Sequence, residues 1–133
     1  MSRQRSYFQS WIIALFLLLA VTFAVAQASA PKYDKATEAK IKGTVETLGK
    51  AADGLVHLSL KTDKGSLDVM LAPESYMTEM EIALKVGDTL QILGSQVTVN
   101  GNAMFLAREV TRGGDIFLMR DDKGAPLWIG WPK

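Results

Sequence analysis

From residue 41 onward, apolar and polar residues alternate with a period of two, the pattern of strands buried on one face. In 41–48, Ile41, Gly43 and Val45 fall on one side and Lys42, Thr44 and Glu46 on the other. A turn-forming stretch at 49–54 leads to a second strand over 55–62, with Val56, Leu58 and Leu60 inward and His57, Ser59 and Lys61 outward. Asp63, Lys64 and Gly65 reverse the chain into a third strand over 66–71, which places Leu67, Val69 and Leu71 inward. The longest signal runs over 85–110. Gly87 and Asp88 mark a turn, Leu90 and Ile92 alternate with Thr89 and Gln91, and Val97 and Val99 alternate with Gln96 and Thr98. Asn100 and Gly101 then turn the chain into the apolar run 103–107, which predicts a β-hairpin. A last strand is predicted over 116–120.

The alternation breaks at 73–84. Pro73 suits the first position of a helix, and Glu74, Tyr76, Met77, Met80 and Leu84 fall near helical spacing. A short helix is therefore predicted between the third and fourth strands. Three strands, a helix and further strands is the order of an all-β, OB-like barrel of five or six strands, in which the helix plugs the barrel. An SH3-like roll shares the periodicity, and the place of the helix favours the OB-like arrangement.

Ahead of this domain, Arg3 and Arg5 precede the apolar run 11–26, and small residues follow at Ala24, Ala26, Ala28 and Ala30. That is the pattern of a secretory signal peptide over 1–26, with 30 as the alternative end. An uncleaved anchor is the other reading, because the run approaches the length of a membrane span. Residues 27–38 then read as a flexible lead-in, and 39–133 as the barrel domain with its tail. Without the signal roughly 100 residues remain, one domain with a modest core. The sequence has no Cys, so in an oxidising compartment apolar burial alone must hold that core. Of 15 basic and 14 acidic residues, Arg3 and Arg5 leave with the signal, and the remaining domain is close to neutral. It lacks the broad basic field of a protein that grips nucleic acid through phosphates.

Several local patterns recur together: Pro73 with Tyr76, then Lys85, Gly87 and Asp88, then Gly94, Ser95 and Val97. Leu106, Ala107, Arg108, Glu109 and Val110 follow, then Gly113 and Gly114, and finally Arg120, Asp121, Gly124, Pro126, Leu127 and Trp128. This series resembles a group of small exported bacterial proteins with an OB-like fold, whose module also occurs in magnetosome-associated proteins and beside cytochrome or redox systems. The resemblance implies an OB-like barrel in the cell envelope, and no particular reaction comes with it. A looser similarity to periplasmic OB-fold stress proteins suggests a small cationic ligand, by analogy of fold alone.

The candidate chemistry is sparse. His57, the one histidine, neighbours Ser59 on an outward face, but a catalytic triad also needs an orienting carboxylate, so a surface histidine is the plainer reading. Met77 and Met80, three apart, could offer thioethers to Cu(I) with His57 nearby; the plainer reading is that they fill gaps between helix and barrel, since soft-ligand sites carry more Met or a Cys. Asp115, Asp121 and Asp122 lack the spacing of a calcium loop and read as turn residues. Arg108, Arg112 and Arg120 lie on the last strands, with Tyr76, Phe105, Phe117 and Trp128 as possible neighbours, the ingredients of a basic, aromatic groove. The plainer alternative pairs Arg120 with Glu109 or Asp121 to fix the last strand. Trp128 would cap the barrel, and Trp131, in the tail, is a candidate anchor for a partner.

Taken together, the residues imply an exported, periplasmic or secreted, non-enzymatic binding module without a cofactor. Its expected partner is an envelope protein or a small ligand, bound through Arg108, Arg120, Tyr76, Trp128 and Trp131. A single-stranded nucleic-acid binder and a periplasmic copper carrier using His57, Met77 and Met80 are the alternatives. N-terminal sequencing of the protein from its own cells should begin at Gln27; a chain that begins at Met1 would show an uncleaved anchor.

Overall fold

The computed structural model describes residues 31–129; the signal segment 1–26 and Trp131 lie outside the described residues. A 3-10 turn at Lys35–Thr37 leads into β1 (Glu38–Lys50), β2 (Leu55–Thr62) and β3 (Gly65–Pro73). Helix α1 (Glu74–Glu79) follows, then β4 (Thr89–Val99), β5 (Asn102–Arg112) and β6 (Asp115–Leu118). The strands lie in the order β3-β2-β1-β4-β5-β6, and β3 also pairs with β5 in parallel. That added pairing closes five strands into a barrel, with β6 as an extra strand on β5. The fold is therefore an OB-like barrel with one short helix between β3 and β4.

The inward residues follow the alternation, with shifts at the bulges. Val56, Leu58 and Leu60 of β2 are all buried, as their period requires. On β1 a bulge between Val45 and Thr47 moves the phase by one, so that Leu48 rather than Thr47 packs on the core. On β3 all of Val69, Met70, Leu71 and Ala72 are buried, which one-sided alternation does not predict. The second edge explains part of it: Met70 registers beside Leu106 in the closing pair with β5. Each fully buried Leu, Ile or Phe contributes about 1.5–3 kcal/mol relative to an exposed one.

The helix is shorter than the 73–84 pattern suggests. Pro73 is extended (φ −59°, ψ 144°) and closes β3 instead of opening the helix. Eight residues later Glu81 takes a left-handed φ of 55°, which ends any continuation. Tyr76 and Met77 plug the barrel, whereas Met80 lies past the last helical residue and is half exposed. Ile82 and Leu84 reach the core from a non-helical segment. The last strand is likewise shorter than predicted: β6 stops at Leu118, and Arg120 instead forms an isolated bridge with Pro126. From Tyr33 the stretch read as a flexible lead-in is held in place. Asp34 caps the 3-10 turn, and its N–H donates to Ser95 Oγ at 2.9 Å. Among the described residues no helix is long and apolar enough to cross a membrane.

Two backbone features shape the β4–β5 hairpin. Asn100 and Gly101 both have positive φ (52° and 80°), the two-residue turn that matches strand twist. Gly94 sits at the β4 bulge, where a Cβ would meet the Leu106 carbonyl and the Phe105 ring. Gly94→Ala should therefore destabilise the domain by roughly 2 kcal/mol or more in denaturant unfolding, the range for overpacking against backbone. Gly49→Ala, which meets nothing, should stay within about 0.5 kcal/mol of the parent.

Candidate ligand-binding face

Four of the five residues expected to bind a partner do converge, but inward. Arg120 is 7% exposed, with its guanidinium 5.7 Å from the Tyr33 ring centroid and 5.2 Å from that of Trp128. Trp128 in turn packs tilted on Tyr76 at 6.2 Å, and Tyr76, itself buried, donates to the Leu118 carbonyl at 2.9 Å. Arg120 Nη1 donates to the Gly124 carbonyl at 2.9 Å, and among the described residues no carboxylate takes the role expected of Glu109 or Asp121. Gly124 has φ +87°, and a Cβ there would run into the Tyr33 ring. Arg108 donates to the Asp122 carbonyl at 3.1 Å and lies 3.3 Å from Glu109 and 3.6 Å from Glu38. Tyr33 and Gly124, absent from the sequence-level site, complete this clasp; a left-handed glycine after two aspartates was the available signal.

The clasp has a defined protonation state. Burial first, then the hydrogen bond to Glu38, pushes the Tyr33 phenol up, so that it keeps its proton and donates to Glu38 at 2.6 Å. The same bond is the main reason the Glu38 carboxyl is held below its usual value. The Asp121 carboxylate accepts from the Ala125 and Lys123 N–H groups, and the Ala125 bond leads in lowering it. Arg112, the third arginine, donates to Ala83 O and Asp88 and stacks 5.4 Å from the Phe117 centroid.

The weaker metal candidates are placed apart in character. His57 bonds Asp53 through Nε2 at 2.8 Å, and Ser59 makes no hydrogen bond to it among the described residues. Met77 is buried in the core, whereas Met80 is 49% exposed. The described residues hold no group of three or more His, Asp or Glu suited to a metal ion.

The open surface lies elsewhere, on the outer face of β2 and β3. A hollow of about 280 Å³ there is lined by Leu48, Ala51, His57, Ser59 and Asp68 among others. A second, of about 450 Å³, runs from Ser66 and Asp68 to the β4–β5 turn at Asn100, Asn102 and Met104. Asp68 borders both, is exposed, and its carboxylate makes no hydrogen bond or ion pair to another described residue. This is the face that OB folds use for ligands, framed by the β1–β2 and β4–β5 loops. The alternation had already put Asp68 outward, opposite Ser59, but nothing in the sequence showed that two distant loops frame it.

A family model described as the MamS/MamX magnetosome protein family matches residues 37–117. No curated protein matches the chain. Among solved structures it is similar to the Stn1–Ten1 complex of S. pombe, at 15% identity and TM-score 0.49, covering 59% of each chain. It is also similar to a ZRD-deleted mutant of TiaS in complex with agmatine, at 14% identity and TM-score 0.47, covering 67% of this chain and 28% of that one. A third is the second OB-fold domain of replication protein A from Methanococcus maripaludis, at 20% identity and TM-score 0.45, covering 59% and 85%. The chain thus spans less than two thirds of the first two structures.

A depressed carboxyl stabilises the fold above its unfolded value and loses that contribution as pH falls through its folded value. For Glu38 the contribution is present above the usual 4.5 and lost below it. Glu38→Gln should therefore flatten the acid side of a stability-against-pH curve, with Asp88 and Asp121, also held low, supplying what remains. An unchanged acid limb would show that Tyr33 does not bond Glu38 in solution.

Proposed function

The chain belongs to the MamS/MamX magnetosome protein family, and from that premise we propose that it is an exported, non-catalytic binding module of the cell envelope. Its binding face is the outer surface of β2 and β3, and its ligand is a small cation or a positively charged segment of an envelope protein. One observation carries this reading: both hollows share Asp68, an exposed carboxylate with no partner among the described residues. The other nearby charges are committed, His57 to Asp53 and Lys50 to Glu74.

A nucleic-acid ligand is less well supported. Single strands are held by stacking bases on aromatic rings beside a basic groove. The aromatic residues that the structure describes are used otherwise: Tyr33 and Trp128 on Arg120, Tyr76 on Trp128, Phe105 in the core and Phe117 beneath Arg112. Trp131 remains a candidate anchor for the partner.

Native mass spectrometry of the protein isolated from its own envelope tests the proposal. The parent should carry a ligand mass or a partner chain that Asp68→Lys lacks, while both unfold within about 0.5 kcal/mol of each other, as expected for an exposed, unbonded position. A ligand retained in full by Asp68→Lys would refute the face.

A further inference from the structure

Arg120 is a cation held almost out of water, yet it forms no ion pair with a described carboxylate. Its Nη1 reaches only the Gly124 carbonyl, and its Nε is buried without a hydrogen-bond partner. Arg108, one strand away, shares this in part: it is paired with Glu38 and Glu109, but its buried Nε also lacks a hydrogen bond while Nη1 reaches the Asp122 carbonyl. Lys35 Nζ donates to that same Asp122 carbonyl at 2.7 Å. Three cations therefore converge on the neutral carbonyls of one turn, 122–124. A buried charge calls for an opposite charge or a full set of hydrogen bonds, and this turn supplies neither completely.

The cover over this cluster is light. Tyr33 lies on Arg120 and Gly124, and the 3-10 turn behind it has no buried residue. Ser95 holds the segment through Asp34 N–H and the Thr37 hydroxyl, and Glu38 holds the Tyr33 phenol. A segment with few buried contacts opens at lower cost than the barrel it lies on. Glu38, 3.6 Å from Arg108 Nε, already sets one carboxylate at the edge of the cluster.

We propose that residues 31–37 form a lid over an oxyanion subsite made by Arg108 and Arg120. A carboxylate or phosphate displaces Tyr33 and accepts the guanidinium hydrogen bonds that the closed form leaves unmade. Trp128 then remains as the floor beneath Arg120. Arg108, which also pairs with Glu38 and Glu109, supplies the second guanidinium.

Calorimetric titration with inorganic phosphate and, separately, acetate tests this and tells the two sources apart. Tyr33→Ala should bind one of them at least about tenfold more tightly than the parent, because a mostly closed lid lowers apparent affinity by the fraction of open molecules. Adding Arg120→Gln should remove the gain. Hydrogen exchange of the unaltered protein should speed up in 31–37 when the anion is added. Equal affinity of Tyr33→Ala and parent for both anions overturns the lid, and binding that survives Arg120→Gln overturns the subsite. Should Tyr33→Ala fail to fold, unchanged exchange in 31–37 under either anion is decisive against the proposal. Asp68 plays no part in any of these readouts.

Discussion

The barrel depends on the short parallel contact between β3 and β5, where Val69 lies opposite Phe105 and Met70 opposite Leu106. Every other pairing joins antiparallel neighbours, and without this one the inner faces of β3 and β5 would be open to water. Closing it brings together positions far apart in sequence, so apolar burial must offset a loop-closure entropy that local hairpins avoid. Phe105 and Val69 supply part of that burial, both nearly inaccessible. The same contact decides where the helix goes. α1 leaves directly from the end of β3, so fixing β3 aims Tyr76 and Met77 into the core.

Closure also explains how the arginines are spent. With so small a core and no disulfide, the domain uses long side chains to tie its outer segments to the barrel. Arg112 joins the 83–88 loop to β5 and β6, Arg108 joins β5 to β1 and to the turn after β6, and Arg120 holds that turn against Tyr33. Charges that look like a basic groove in the sequence act here as internal fasteners. The hollows on β2 and β3 differ in character, bordered by the exposed Asp68 carboxylate, which no described residue pairs.

The family match ends at residue 117 and begins at 37, which brackets the barrel and leaves the clasp on its flanks. Tyr33 comes from before the matched stretch, and Arg120, Gly124 and Trp128 come from after it. The barrel, with Asp68 on it, therefore lies within the stretch that matches the family.

The alternation of apolar residues was enough to place all the strands, because burial on one face imposes a period of two wherever a strand lies. Asn100 and Gly101 announced their turn because few other residues tolerate two left-handed positions in succession. The break at Pro73 marked the helix, though its end depended on Glu81 turning left-handed, which no local propensity foretold. The bulges at Val45 and Leu93 were invisible, since they answer to partner strands rather than to their own residues. The site was legible only as a list: Arg108, Arg120, Tyr76 and Trp128 do meet, but periodicity cannot tell a side chain that meets its neighbours from one that meets a ligand. Strand identity and barrel class came from the sequence by itself because they rest on local pattern. Which charges were buried, and which carboxylate was left open between two loops, depended on the closure of β3 onto β5, a contact between residues too distant in sequence for any pattern to carry.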